Sequence, residues 1–549
     1  MNLIPPGKAA SIIEIKDPVV LAPKGTTCAF LPSRTWLNGC RGKTVISRAH
    51  PCQVEFEDRK HAGGIRKFRL RATAFARQAN ESLLSKQVPH LKVSSLRILW
   101  LRRLPPERSL KSRLFVGLVA LGILLRLAFV LVANGQELTF HSGGSDAPTF
   151  VILAQNMLAH RGFSFAGEPS ALAAPGYPLL VAGFMSVFGS HFILVIRLTQ
   201  FILGLLTVGA CCVIAFRLFG GRAAQATLVF GLFLPTLIFT TAQVLTECVA
   251  AFLTSLYFLF LVIDYDAPDV RTACGLGVTA GLCSLIRFNA AALPAFAGWS
   301  VFRNRAKGSF LLREAIVLLL PVLIIAPWLL RNEAAFHGRV LFSTQTGPNL
   351  VAGVIAPEGR TQPGDKEKWE AAVGWELSEV ETNDPSRLAL PSEVELNQQG
   401  IQAAPRLWKQ QGSAAIPLLA RKVAVFWLSL DQIADTGSFT LSDRLVRATG
   451  VMAYWVVLGL AIVGWLTLRA RRTSIAYLLL VYALGMTAMH LPLVMNTRLR
   501  IPLMEPLLVF LSGAGWVTLF GKAVSGNDLA THETQAAQRG LRTAERARS

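Results

Sequence analysis

The sequence predicts an all-α polytopic membrane protein: a bundle of about ten transmembrane helices with outward interfacial helices and a small outward loop domain. Three observations predict it. Hydrophobic residues make up 52% of the 549 residues and charged ones only 16%, and mean hydropathy is +0.45. Apolar runs near the ~20 residues needed to cross a bilayer also recur along the chain. They cover 114–133, 193–216, 222–239, 245–263, 314–330, 448–468, 474–492 and 501–520. Two shorter runs, 272–286 and 289–302, flank Arg287 and form a further pair.

Charge sets the orientation. The formal net charge is +22, but residues 1–113 hold 22 Lys and Arg against 7 Asp and Glu, so +15 of it precedes the first span. The other 436 residues carry 33 against 26. Basic flanks of this kind are retained in the cytoplasm, so the excess is an orientation signal and nucleic acid is not an expected partner. Arg217 and Arg222, Arg271, Arg303 to Arg313, and Arg469 to Arg472 all fall on one side. Ten spans then put both termini in the cytoplasm. The loop with Asp146, the segment 331–447 and the turn Asn496–Arg500 face outward.

Residues 1–111 mix Arg, Ser, Pro and Cys without periodicity and lack a secretory apolar run. They read as a basic, disordered extension, drawn to anionic lipid or lying upstream of the real start. The membrane domain runs from 112 to 522. Within it, residues 134–192 form the first outward loop, where Ala147–Ala159 and Leu179–Phe188 read as interfacial helices. Residues 331–447 form a second outward segment, a small ordered domain or lid. Residues 523–549 read as a disordered cytoplasmic tail. Cys211, Cys212, Cys248, Cys274 and Cys283 fall in spans as apolar fillers, and Cys28, Cys40 and Cys52 show no CxxC spacing. No disulfide or metal role follows from them.

Asp146 sits in the first outward loop after Gly143 and Gly144, which let backbone turn tightly and a ligand approach. It reads as a carboxylate at a pocket floor, as a solvated turn residue, or as the N-cap of the helix starting near Ala147. Glu247, at the start of a span, costs a few kcal/mol there unless it meets a partner or water. Arg287, Arg498 and Arg500 are outward cations against the positive-inside trend, so something anionic holds them. A lipid phosphate suits a planar guanidinium; a salt bridge to Glu247 or Glu505, or snorkelling to headgroups, are the alternatives. Asp264-Tyr265-Asp266 is a DxD on the opposite side and reads as a span-end cluster. His490 reads as a packed histidine, and no GxxxxGK[ST] supports ATP-driven work.

Together these residues resemble the GT-C integral-membrane glycosyltransferases, in particular the family 39-like group of dolichyl-phosphate-mannose protein mannosyltransferases and lipid A aminoarabinose transferases. The resemblance covers about residues 112–522. It rests on Ser145-Asp146 followed by Ala154 to Leu158 and Gly162-Phe163, and on Pro175-Gly176-Tyr177-Pro178-Leu179. Gly189 with Arg197 and Gln200, Thr246-Glu247, and Pro327 to Asn332 continue it. Ser343 to Leu350 with Gly353, and Arg498 to Pro502 with Glu505-Pro506, complete it.

The resemblance implies transfer of a sugar from a polyprenyl-phosphate carrier to an envelope lipid, polysaccharide or protein, at the outward face of the inner (cytoplasmic) membrane. It implies Asp146 as general base, with Glu247, Arg287, Arg498, Arg500 and Tyr177 binding donor phosphate or acceptor. Many relatives carry an Asp-Glu pair and a nearby Tyr where this chain has Asp146-Ala147 and Phe150. Ala173-Ala174 stand where the aminoarabinose transferases place a Glu. A single base without a metal or other cofactor is therefore expected; a divalent metal has no support. The alternative from another class is a transporter or flippase of lipid-linked sugars, for which the sequence lacks an obvious internal repeat.

Overall fold

The computed structural model describes residues 55–59, 67–71, 110–132, 146–165, 167–303, 310–337, 339–357, 368, 392–428, 441–495 and 497–521. Gly143, Gly144, Asn496, Cys28, Cys40, Cys52 and the 523–549 tail lie outside them. Within the N-terminal extension, Glu55–Arg59 (β1) pairs antiparallel with Lys67–Arg71 (β2), Phe56 opposite Leu70, a local element absent from the sequence reading.

The membrane part is helical. In chain order its helices are Leu110–Val132 (α1), Ala147–Leu158 (α2), Gly176–Phe188 (α3), Phe192–Phe219 (α4), Gly221–Phe233 (α5), Pro235–Ala242 (α6), Glu247–Asp266 (α7) and Val270–Ile286 (α8). Leu293–Arg303 (α9), Phe310–Phe336 (α10), Thr346–Ile355 (α11), Glu393–Gln411 (α12), Ala415–Leu428 (α13), Leu441–Arg471 (α14), Thr473–His490 (α15) and Thr497–Phe520 (α16) follow. A two-residue pairing, Ser164–Phe165 (β3) with Glu168–Pro169 (β4), closes the loop after α2.

Among the described residues, seven helices are long and apolar enough to cross a membrane, or eight if the bent pair α5–α6 counts as one span. The remaining expected pair appears as α8 and α9, of 17 and 11 residues. One expectation shifts: Leu179–Phe188 belongs to α3, which joins α4 in one 44-residue apolar stretch broken only by the short turn Gly189–His191.

α16 is the axis of the bundle and packs against α4, α5, α7 and α14. Small residues allow the closest approach. A Cβ on Gly515 would run into the Leu460 carbonyl of α14, and one on Gly464 into the Leu511 carbonyl of α16, so these helices meet backbone to backbone. Pro235 bends α5 against α6 by 51° and supplies no N–H for the Gly231 carbonyl. The buried Arg126 of α1 makes good the loss: it donates to the carbonyls of Gly231 (2.6 Å), Leu232 (2.9 Å) and Leu237 (3.2 Å).

The DxD is a span-end cluster. Asp264 forms a buried ion pair with Arg313 of α10 at 2.7 Å, and Asp266 pairs with Arg472 at 2.6 Å. His490 is buried, stacks on Phe426 and accepts at Nε2 from the Asn289 side-chain amide at 2.9 Å.

Candidate active site

Four of the six site residues read from the sequence come together in one chain of charges. Asp146 immediately precedes α2, where a capping bond is the simplest expectation, yet its side chain caps nothing. Instead its Oδ2 accepts from Arg498 Nη2 at 2.8 Å. Pro148, in the first turn of α2, lacks an N–H to be capped, which lowers the need. The same guanidinium donates from Nε to Glu247 Oε1 at 2.8 Å. That oxygen also receives Arg287 Nη1 at 3.2 Å, and Arg287 donates to Thr246 Oγ1 at 2.8 Å. The series Asp146, Arg498, Glu247, Arg287 sums to zero formal charge.

Exposure is unequal along the series. The Asp146 side chain is 60% exposed, Arg498 21%, Arg287 13% and Glu247 1%. Glu247 is the internal anchor, seated on the first turn of α7, where the helix dipole favours a carboxylate. Asp146 is the end open to solvent.

Tyr177 is the fifth residue and stands behind this series. Its ring meets Phe150 of α2 edge to face at 5.1 Å. Its hydroxyl donates to Gln200 Oε1 at 2.9 Å. Gln200 in turn donates to the carbonyls of Gln243 (2.6 Å) and Thr241 (3.2 Å). Through Gln200, the Pro175–Pro178 turn is tied to the loop that delivers Glu247. Tyr177 is fully buried, so it orients the loop.

Arg500 is placed elsewhere, against the sequence reading that set it beside Arg498 in a turn. The helix α16 already begins at Thr497, and residues two apart on a helix point to nearly opposite faces. Arg500 therefore enters the bundle, where it donates to the Phe426 carbonyl (2.7 Å), pairs with Glu505 (3.2 Å) and lies 4.0 Å above the Tyr454 ring. Glu505 also accepts from Thr236 at 2.9 Å. Both ion pairs named as alternatives, to Glu247 and to Glu505, are present.

A second polar cluster brings Arg331 and Thr344, from two stretches quoted for the resemblance, to Glu393, which the sequence does not mark. Arg331, at the end of α10, donates to the carbonyls of Phe163 (2.6 Å) and Ser170 (2.8 Å) and faces the rings of Phe163, Trp328 and Phe336. Glu393 of α12 accepts from the Ala171 amide (3.1 Å) and from Thr344 (2.9 Å). Burial holds its carboxyl above the ordinary value, against the lowering effect of these hydrogen bonds and of Arg331. The cluster staples the loop before Tyr177 to the second large segment. The only sequence signal for Glu393 was Ser392, whose hydroxyl caps α12 by accepting from the Glu395 amide at 3.2 Å.

Among the described residues no group of three His, Cys, Asp or Glu is arranged to hold a metal ion.

Residues 172–330 match the family described as dolichyl-phosphate-mannose-protein mannosyltransferase. Curated proteins give no match. Among solved structures, the archaeal oligosaccharyltransferase AglB from Archaeoglobus fulgidus, in complex with an inhibitory peptide and a dolichol-phosphate, is 15% identical, with 78% of this chain and 52% of that one aligned and a TM-score of 0.44. This chain thus spans about half the length of that enzyme. ArnT from Cupriavidus metallidurans, bound to undecaprenyl phosphate, is 19% identical over 74% of this chain and 77% of that one, with a TM-score of 0.34. The matched segment runs from the loop before Tyr177 into α10, within the all-helical bundle.

Proposed function

We propose that the whole chain transfers a sugar from a polyprenyl-phosphate carrier to a cell-envelope lipid, polysaccharide or protein on the outward face of the cytoplasmic membrane, with Asp146 as general base. The observation that carries the reading is the ion series in which an exposed carboxylate and two arginines meet at one end of the bundle. In the reaction, an Asp146 oxygen takes the proton of the acceptor hydroxyl. The acceptor oxygen bonds to the anomeric carbon, the bond from that carbon to the phosphate oxygen breaks, and its electron pair leaves with the phosphate. The donor, a phosphodiester monoanion, departs as a phosphomonoester with one more negative charge. Arg498 and Arg287 supply the positive field that this charge requires. Glu247 keeps both guanidiniums in place, and Tyr177 with Gln200 keeps Glu247 in place.

The test uses purified protein, labelled polyprenyl-phosphate sugars and a panel of envelope acceptors. Covalent product without a sealed vesicle supports the enzyme, and translocation without product supports the transporter. Asp146→Asn should lower transfer at least about a hundredfold, the range for a lost general base, while leaving the protein folded. Near-normal turnover would remove Asp146 from that role.

A further inference from the structure

The base and the phosphate-binding cation are bound to each other. Asp146 Oδ2 occupies Arg498 Nη2 at 2.8 Å, while Arg498 Nε is held by the buried Glu247 at 2.8 Å. The guanidinium is therefore held at Nε by the buried carboxylate, and its Nη2 is taken by the more exposed of the two. We propose that Asp146 and the lipid phosphate compete for Arg498, so that Asp146 acts as a clasp on the phosphate site as well as a base. This inference rests on the donor reading given above.

The chemistry of the step gives the competition a direction. Before transfer, the carboxylate of Asp146 and the phosphodiester each carry one negative charge. After transfer, Asp146 holds the acceptor's proton and is neutral, while the phosphate carries a second charge. The total is unchanged, and the anion facing Arg498 has moved from the base to the leaving group. Neutralising Asp146 frees Nη2 at the moment the phosphate needs it. When Asp146 later loses its proton, it reclaims Nη2 and helps expel the spent carrier. Glu247 cannot take this part, because it is 1% exposed and holds Arg287 as well.

The competition makes an unusual demand: removing the base should strengthen binding of the product. The measurement is the affinity of undecaprenyl phosphate for detergent-purified wild type, Asp146→Asn, Arg498→Gln and the double variant. Asp146→Asn should bind about threefold tighter than wild type, the size of a largely exposed ion pair. Arg498→Gln should bind about tenfold weaker or worse. On the Arg498→Gln background, Asp146→Asn should change nothing. That cycle separates a clasp from plain repulsion between carboxylate and phosphate, which would persist without Arg498. Equal affinity in wild type and Asp146→Asn overturns the clasp, and so does a tightening that survives in the double variant. Polyprenol lacking phosphate should bind wild type and Asp146→Asn alike; a difference would place the effect on the lipid tail and overturn the clasp too. If no variant binds undecaprenyl phosphate, the donor reading itself fails, a result distinct from equal binding.

Discussion

Glu247→Gln is the substitution that tests the anchor of the site. The change keeps size and shape and removes one charge from a carboxylate that is 1% exposed and faces two guanidiniums, at 2.8 and 3.2 Å. Breaking a buried ion pair from one side costs about 3–5 kcal/mol, because the remaining charge is left without compensation. Two features pull the value to the low end. Arg287 and Arg498 keep 13% and 21% exposure, and Arg498 retains Asp146. About 3 kcal/mol is therefore expected, shared between stability and transition-state binding. If all of it fell on the transition state, kcat/KM would drop about a hundredfold, at about 1.4 kcal/mol per factor of ten. The assay pairs kcat/KM for a labelled donor with thermal unfolding, for Glu247→Gln and Glu247→Asp together. The aspartate keeps the charge one methylene further back, so it should lose activity while holding more stability than the amide. Wild-type turnover and wild-type melting in Glu247→Gln would refute the anchor.

Two further substitutions probe the frame. Tyr177→Phe leaves the buried Gln200 Oε1 without its 2.9 Å donor and should cost about 1–3 kcal/mol of stability, read by thermal unfolding. Lys422 of α13, outside the apolar spans, is fully buried and donates to the Gly353 carbonyl at 2.8 Å, and burial lowers its amine from 10.5 to about 8. The folded chain thus releases this proton near pH 8 and the unfolded chain near 10.5. Between those values the unfolded state binds more protons, and stability rises with pH. Wild type should accordingly gain melting temperature relative to Lys422→Met as pH is raised from 8 to about 10; parallel curves would show that Lys422 carries no such cost.

Much of this was legible in the chain, and the parts that were not share a cause. Hydropathy locates spans because a bilayer demands continuous apolar length, and Glu247 stood out because an acid at a span start demands a partner. The choice between Arg498 and Arg500 could not be read, since it turns on whether residues 497–500 are a turn or the first turn of α16. A turn lets both cations face one ligand, whereas a helix sends them apart. The break at Pro235 was hidden within an apolar run that looks continuous, because Arg126, over a hundred residues earlier, satisfies the carbonyls it frees. Glu393 was invisible for a related reason: its partners Ala171 and Thr344 are ordinary residues, brought to it only by the fold.

α7 carries a carboxylate near each end, Glu247 locked to α8 and α16 and Asp264 locked to α10. Seventeen residues of helix separate them by about 25 Å, close to the depth of the hydrocarbon layer. A rod pinned by ion pairs at both ends resists sliding along its axis and turning about it, since either motion would strip partners from a buried charge. α7 is thus the fixed post of the machine. Any movement of the neighbouring helices must go around it.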